Sequence, residues 1–369
     1  MLQYSKLRAG ILAGLGLALA LPVAAQDALE EIIVTAQRRE ERMQDTPISI
    51  TAFSSDHLDE LSINDLAGIG NFTPNMNFSN SPAGSGGGNN AQIYIRGVGQ
   101  NDFLITTDPG VAVYMDGVYI ARSMGAIMNL MDMERVEVLR GPQGTLFGKN
   151  AVGGAISLVT APPTDEIDGN VELTTGSRDR IDARGMVNVP LIPGQLLARF
   201  AASTRNQDGY GNRLLDDIDL GDVNEDAFRG SLLWNATDTL KFTLVGDYSR
   251  GREESVSQHL MTVDASNAPL LNLWNAFVGF PSGQPMTPDL VLDDPYDTLQ
   301  TGRSINDMDV YGISLTADWQ VGGINIKSIT AYRDSDVDFS RDGDNSPAPY
   351  VETFNDTDQN QFSQELHAS

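Results

Sequence analysis

From about residue 168 to the end of the chain, apolar and polar residues alternate with a period of two. Phe228, Gly230, Leu232 and Trp234 fall on one side of their run, and Arg229, Ser231, Leu233 and Asn235 on the other. Leu240, Phe242, Leu244, Gly246 and Tyr248 oppose Lys241, Thr243, Val245 and Asp247; Tyr311, Ile313, Leu315, Ala317 and Trp319 oppose Gly312, Ser314, Thr316 and Asp318. Successive side chains of a strand point to opposite faces, so each run predicts a strand with one face for lipid and one for a wet lumen. Eight strands are predicted, near 169–177, 180–190, 196–206, 225–235, 239–250, 309–319, 324–336 and from about 357. The links after the second, fourth and sixth are short (LIPGQ, ATD, QVGG). Those after the third, fifth and seventh are long, the fifth running through 58 residues from Gly251 to Met308. Short turns at one end and long loops at the other is the arrangement of an outer-membrane barrel, and a soluble sandwich has no reason to keep that parity.

The pattern before Pro162-Pro163 is different. ISITAF (48–53) reads as a strand, Ser54 or Ser55 as the cap of a short helix through Leu61, and Ser62 with Asp65 as a capping pair for a second helix ending near Gly70. Ser81–Asn90 is a Gly/Ser/Asn-rich loop, and AQIYIRGVG (91–99) is a strand and turn. VAVYMDGVYIAR (111–122) predicts a hairpin whose Asp116-Gly117 suits a type I′ turn. Glu134 to Thr160 then reads as a strand alternating apolar and charged residues, a glycine-rich turn region, and a second strand.

That glycine-rich region is not a nucleotide cradle. A P-loop places four residues between its glycines and follows them with Lys and a hydroxyl residue. Here three residues separate Gly144 from Gly148, Asn150 replaces Ser or Thr, and no apolar-periodic helix follows.

Composition narrows the function classes. Residues 1–25 read as a secretory signal: Lys6 and Arg8, an apolar run from Ile11 to Leu21, and a small-residue site ending at Ala25. The run is shorter than the roughly 20 residues of a spanning helix. An exported chain that enters a membrane without such helices must do so as a closed barrel. A net charge of −26 argues against nucleic acid and reads as solvated acidic loops. With no cysteine and only His57, His259 and His367, dispersed, neither a disulfide framework nor a hydrolase constellation stands out. Met124, Met128, Met131 and Met133 read as adaptable packing rather than a copper site. Asp334, Asp336 and Asp338 lack the glycine an EF-hand needs at Phe339, so no metal site and no cofactor are assigned.

The order IRGVG, DPGVAVYMDGVYIARS, then ERVEVLRGPQGTLFGKNAVGGAISLVT resembles the plug domain of TonB-dependent outer-membrane receptors. The resemblance marks Arg96, Gly97, Asp116, Gly117, Arg135, Arg140, Gly141, Pro142, Gly144, Gly148, Gly153 and Gly154 as its structural and gating positions. Upstream, EEIIVTAQ resembles the TonB box at Ile32, Ile33, Val34, Thr35 and Ala36, an extended and accessible segment suited to β-augmentation by a partner.

The expected organisation is a signal peptide (1–25), a periplasmic segment with the box (26–44), a plug (45–165) and the N-terminal part of a transmembrane barrel (166–369). The fold class is mainly β: a small α/β plug followed by an incomplete antiparallel barrel, eight strands of about 22. Eight strands cannot enclose such a plug, so the chain reads as the N-terminal portion of a longer receptor or a truncated frame that does not transport by itself. Gln26–Glu31 leaves no room for a signalling domain ahead of the box, which implies transport without transmembrane signalling.

The resemblance implies a Gram-negative outer-membrane protein, not an enzyme, with its N-terminus in the periplasm. Its implied partners are TonB with the inner-membrane energising complex, outer-membrane lipid, and a small-molecule ligand such as a ferric siderophore. The full-length protein is expected to be a monomer. Carbohydrate, cobalamin or aromatic-compound uptake stay open, as does, from another class, a passive porin-like channel. Arg96, Arg122, Arg135 and Arg140 are expected to pair with wall carboxylates and seat the plug. Trp274, Phe277 and Phe280 in the fifth loop are candidate ligand contacts.

Overall fold

The computed structural model describes residues 33–35, 41–79, 91–100, 106–122, 130–264, 266 and 268–369. The expected signal peptide, Ile32, Ala36, the Ser81–Asn90 loop, Met124 and Met128 lie outside these residues.

The plug is built on one five-stranded sheet. Its strands are β1 (Ile50–Ser54), β2 (Val111–Met115), β3 (Val118–Ile120), β4 (Met133–Arg140) and β5 (Gly154–Thr160), in the order β1-β4-β5-β2-β3. The pairing of β5 with β2 is parallel and the others are antiparallel. Asp116 and Gly117 both have positive φ (48° and 83°), as a type I′ turn between β2 and β3 requires.

Helices α1 (Ser55–Glu60) and α2 (Leu66–Phe72) cover one face of the sheet. The Ser54 side chain accepts from the His57 N–H, and that of Asp65 from the Gly68 N–H. Ser62 does not share in the second cap; its φ of 54° makes it the left-handed exit from α1. Leu58, Leu66 and Ile69 pack there on Val111, Val113, Val136, Val138 and Ile156. The other face carries Val34, Ala52, Ala112, Tyr114, Leu139, Phe147 and Ala155. Both faces of β4 are therefore covered, and the charged side of its alternation is not a solvated one.

The wall is an eight-stranded antiparallel sheet of consecutive strands: β6 (Asp168–Thr175), β7 (Ile181–Ile192), β8 (Leu196–Gln207), β9 (Val223–Thr237), β10 (Leu240–Glu253), β11 (Asn306–Val321), β12 (Ile324–Asp342) and β13 (Glu352–Ala368). Each predicted strand is present. The later ones extend further than alternation suggested, because β11 to β13 continue as a ladder into the loops.

The register stacks outward-facing residues into a belt. Leu232, Leu244 and Leu315 stand side by side, bounded by Phe228, Tyr248 and Tyr311 towards the long loops and by Trp234 and Phe242 towards the short turns. Trp234 and Phe242 stack with ring centroids 5.5 Å apart. An apolar band between aromatic girdles is the surface a barrel presents to lipid. Ala201, Ala227, Ser231, Val245, Val310, Ile329 and Ala331 are buried on the opposite face, towards the plug.

Candidate functional site

The glycines of the signature are spent on close chain contact. A Cβ on Gly153 would lie 2.6 Å from the Val98 carbonyl, and one on Gly154 2.3 Å from the Leu139 carbonyl. The Gly141 and Gly153 N–H groups donate to the Gly153 and Gly110 carbonyls, both at 2.9 Å. Gly141 has a φ of 104°, and the Arg96 guanidinium occupies the space its side chain would need. Arg96 and Gly97 themselves form a turn with φ of 53° and 78°. Past Pro142, one helical turn, Gly144–Phe147, ends at Gly148, whose φ is 79°. So short a helix leaves no periodic signal in the sequence.

The described part of the segment expected to be a box, Ile33–Thr35, docks on this unit. Ile33–Val34 pairs antiparallel with Glu41–Arg42, and Val34 is fully buried. The Thr35 N–H and hydroxyl both donate to Glu137 Oε1, at 2.9 and 3.1 Å, and Arg135 Nε donates to the same oxygen at 2.8 Å. Glu137 is wholly inaccessible to solvent, and its Oε2 has no hydrogen-bond partner among the described residues. The accessible strand expected here is instead folded back against the centre of the plug. Burial of Val34 and three donors on one carboxylate oxygen favour that placement. Glu137 was missed because alternation alone makes it a surface position.

The four plug arginines do not meet wall carboxylates among the described residues. Arg135 pairs with Glu134 and Glu137, Arg122 with Asp108, and Arg140 donates to the Pro74 carbonyl, while Arg96 lies over Gly141. The polarity is reversed, with the wall supplying cations and the plug their acceptors. Arg184 reaches Asp59 at 2.8 Å, and Arg199 binds Asp132 through two hydrogen bonds of 2.8 and 2.5 Å. Arg229 donates to the Met131 carbonyl and the Met115 sulfur, both at 3.1 Å. Arg229 was legible as a charge on the polar side of its alternation, but its partners were not, and Arg199 was not singled out. Met131 and Met133 are buried packing residues.

Asp116 adds a fixed point inside the plug, accepting from the Thr160 N–H and hydroxyl at 2.9 Å each. At the loop end, Lys149 and Arg122 share the Asp108 carboxylate at 2.6 and 3.0 Å; these two hydrogen bonds hold its pKa below the ordinary 3.8.

The fifth loop places Trp274, Phe277 and Phe280 on one short helical stretch, Pro269–Ser282. Trp274 packs edge-on against Tyr350, while Phe277 and Phe280 are exposed. The three candidates thus share one stretch of the loop, two of them open to solvent. Asp336 and Asp338 join Asp356 in an outward-facing acidic group, while Asp334 accepts from the Tyr332 hydroxyl.

Residues 42–155 match the family model described as TonB-dependent Receptor Plug Domain. An iron-regulated outer membrane virulence protein of Vibrio cholerae is 32% identical over 221 residues, covering 54% of this chain and 33% of that protein. A probable TonB-dependent siderophore receptor, PirA of Acinetobacter baumannii, is 29% identical over 256 residues, covering 62% of this chain and 32% of that protein. Among solved structures, the ferric yersiniabactin uptake receptor FyuA of Yersinia pestis superposes with a TM-score of 0.68 at 22% identity, covering 87% of this chain and 45% of that one. The ferripyoverdine receptor of Pseudomonas aeruginosa gives 0.68 at 18% identity, covering 91% and 41%. The chain thus spans about a third of these curated relatives and under half of these structures.

Proposed function

We propose that this chain, which carries the plug and the first eight wall strands of a TonB-dependent outer-membrane receptor, forms the gate and coupling end of an active importer of iron–siderophore complexes. The family consists of transporters and receptors, not enzymes, and the chain is an outer-membrane protein. The observation that carries the reading is the joining of box and plug: Thr35, in the segment that TonB would grip, is bonded to Glu137 on β4, an interior strand of the plug sheet. Tension on that segment is delivered directly to the element that blocks the lumen. Energy would come from the inner-membrane complex through TonB. On this reading, residues 1–25 are the removed signal, 26–44 the periplasmic arm, 45–165 the plug and 166–369 wall, in a receptor that is monomeric when full length.

Iron is favoured as cargo because the relatives include an iron-regulated protein and a siderophore receptor. A vitamin B12 transporter of Vibrio vulnificus, 29% identical over 185 residues, keeps cobalamin as the second reading. A passive porin is disfavoured, since a folded plug sits against the inward wall face. The test is growth of a strain lacking the intact gene on iron chelates, cobalamin and glycans, together with deletion of Ile32–Ala36 from the full receptor. The expected result is an iron-specific defect, and loss of uptake with surface binding kept in the deletion. Unchanged uptake would remove the coupling claim.

A further inference from the structure

We propose that the third and fifth loops form one lid over the loop end of the lumen, and that Glu225 and Glu253 at its base work it as a proton-operated clasp. The lid is a single body. Gly211–Arg213 of the third loop pairs antiparallel with Ile218–Leu220 and parallel with Asp297–Thr298 of the fifth. Leu220 and Thr298 are buried. Arg213, also buried, binds the Asp216 carboxylate through two hydrogen bonds of 2.7 Å and donates to the Gly302 carbonyl at 3.1 Å. The Gly221 N–H donates to the Ser255 carbonyl at 3.1 Å, and a Cβ on Gly211 would lie 2.2 Å from Ser257. Moving either loop alone would break a paired sheet and strip a buried guanidinium of a partner, so the two travel together.

One side chain ties the base of this lid together. Glu253 ends β10, where the fifth loop begins. Its Oε1 accepts from the Asn224 N–H at 3.4 Å, where the third loop enters β9, and its Oε2 from the Asn306 amide at 2.9 Å, where the fifth loop enters β11. Both donors are neutral. Beside it, the Asp222 carboxylate accepts from the Glu254 N–H at 2.7 Å. Glu225 faces the same side: its register partner is Gly251, two residues before Glu253, and glycine puts no side chain between them. Arg205 of β8 binds Glu225 at 3.0 Å and lies 3.9 Å from Asp65 of the plug, while Asp182 of β7, opposite Arg205, is bonded to Arg180. One guanidinium thus serves Glu225 and Asp65, and Glu253 and Asp222 bind no cation among the described residues. Strands β7 to β11 are each flanked by described strands on both sides, so the cluster does not depend on the edge of the sheet. Glu253 lies five residues past Tyr248 of the girdle, beyond the apolar band. Burial first, and then the charge of Glu225, push its pKa from the ordinary 4.5 up to about 8. The closed lid therefore holds a proton at neutral pH. When that proton leaves, an anion faces Glu225 and Asp222 at the joint of both loops, and the clasp opens.

Because the folded value is raised, the clasp is strongest below 4.5 and weakens as pH rises to about 8, with no further change beyond. Leu215 of the third loop, Tyr296 of the fifth and Ile313 of the wall are exposed, and the chain has no cysteine of its own. Spin labels on Leu215→Cys with Ile313→Cys, and on Tyr296→Cys with Ile313→Cys, measure the distance from each loop to the wall in the full receptor in isolated outer membranes. In both pairs a longer distance is expected to grow in population by up to about tenfold per pH unit between about pH 6 and 8, then to level off. In Glu253→Gln, which keeps the shape of the protonated acid, the distances are expected not to change with pH. Glu225→Gln, which removes the repelling charge, is expected to lower the plateau several-fold. A pH-independent distance in the parent overturns the clasp, as does a parent-like rise in either variant. Different pH profiles for the two pairs overturn the single lid. The distances are read without any uptake, so a failure of iron import would defeat the transport reading and leave the lid standing.

Discussion

Arg199 reaches inward from the barrel wall and grips Asp132 of the plug with two parallel hydrogen bonds, both side chains only about a tenth exposed. Removing either partner leaves the other buried without compensation, which costs about 3 kcal/mol or more. Asp132→Ala and Arg199→Ala are each expected to loosen the plug, seen as faster proteolysis within it in the assembled receptor. Asp132→Leu with Arg199→Met is expected to recover most of the loss, since both charges go together. A double variant as labile as the sum of its singles would show that the pair does not hold the plug.

Gly312 makes room for a second ion pair. Arg333 binds Asp247 at 2.9 and 3.1 Å, and a Cβ on Gly312 would lie 2.5 Å from the guanidinium and 3.0 Å from the carboxylate. Gly312→Ala is expected to displace the pair and cost about 1–3 kcal/mol. A thermal unfolding midpoint equal to that of the parent receptor would contradict this.

Thr35→Val keeps the backbone donor to Glu137 but removes the hydroxyl. The loss is about 1.5–3 kcal/mol for a hydrogen bond to a charged group. The expected outcome is several-fold faster protease cutting of the 33–42 segment, without change in the barrel. Cutting at the parent rate would mean that the hydroxyl does not hold this segment.

The Asp108 cluster makes a signed pH prediction. Its carboxylate pKa is lowered in the fold, first by the Lys149 hydrogen bond and then by that of Arg122. The folded state therefore binds this proton less readily than the unfolded chain. The resulting stability is full above the ordinary value of 3.8 and is lost as pH falls through the lowered folded value. Asp108→Asn is expected to flatten that acid limb in a series of unfolding midpoints. Because Lys149 is exposed, added salt is expected to shrink the effect in the parent. An identical acid limb in both proteins would remove Asp108 as its source.

Where a reading depended on neighbours in sequence, it was legible. The Asp116-Gly117 turn, the Ser54 and Asp65 caps and the eight wall strands follow from local backbone preference and from a side-chain period of two. Ser62 misled because a capping pattern does not reveal that the residue has turned left-handed to leave α1. The arginines misled for a different reason: a charge on a strand announces that it needs a partner and does not say which.

The alternation of the chain by itself determined that a wall of strands follows a small α/β unit, and which face of each strand meets lipid. Only the tertiary structure decided that wall arginines hold plug carboxylates, that Glu137 is buried and bonded to Thr35, and that Val118 packs on Ile329 and Ala331. The physical reason is range. Turn chemistry and strand periodicity act over a few residues, whereas Thr35 and Glu137 are 102 positions apart and Ala121 and Gln361 are 240 apart. Contacts at that separation are set by sheet order and strand register, which no short stretch of sequence encodes.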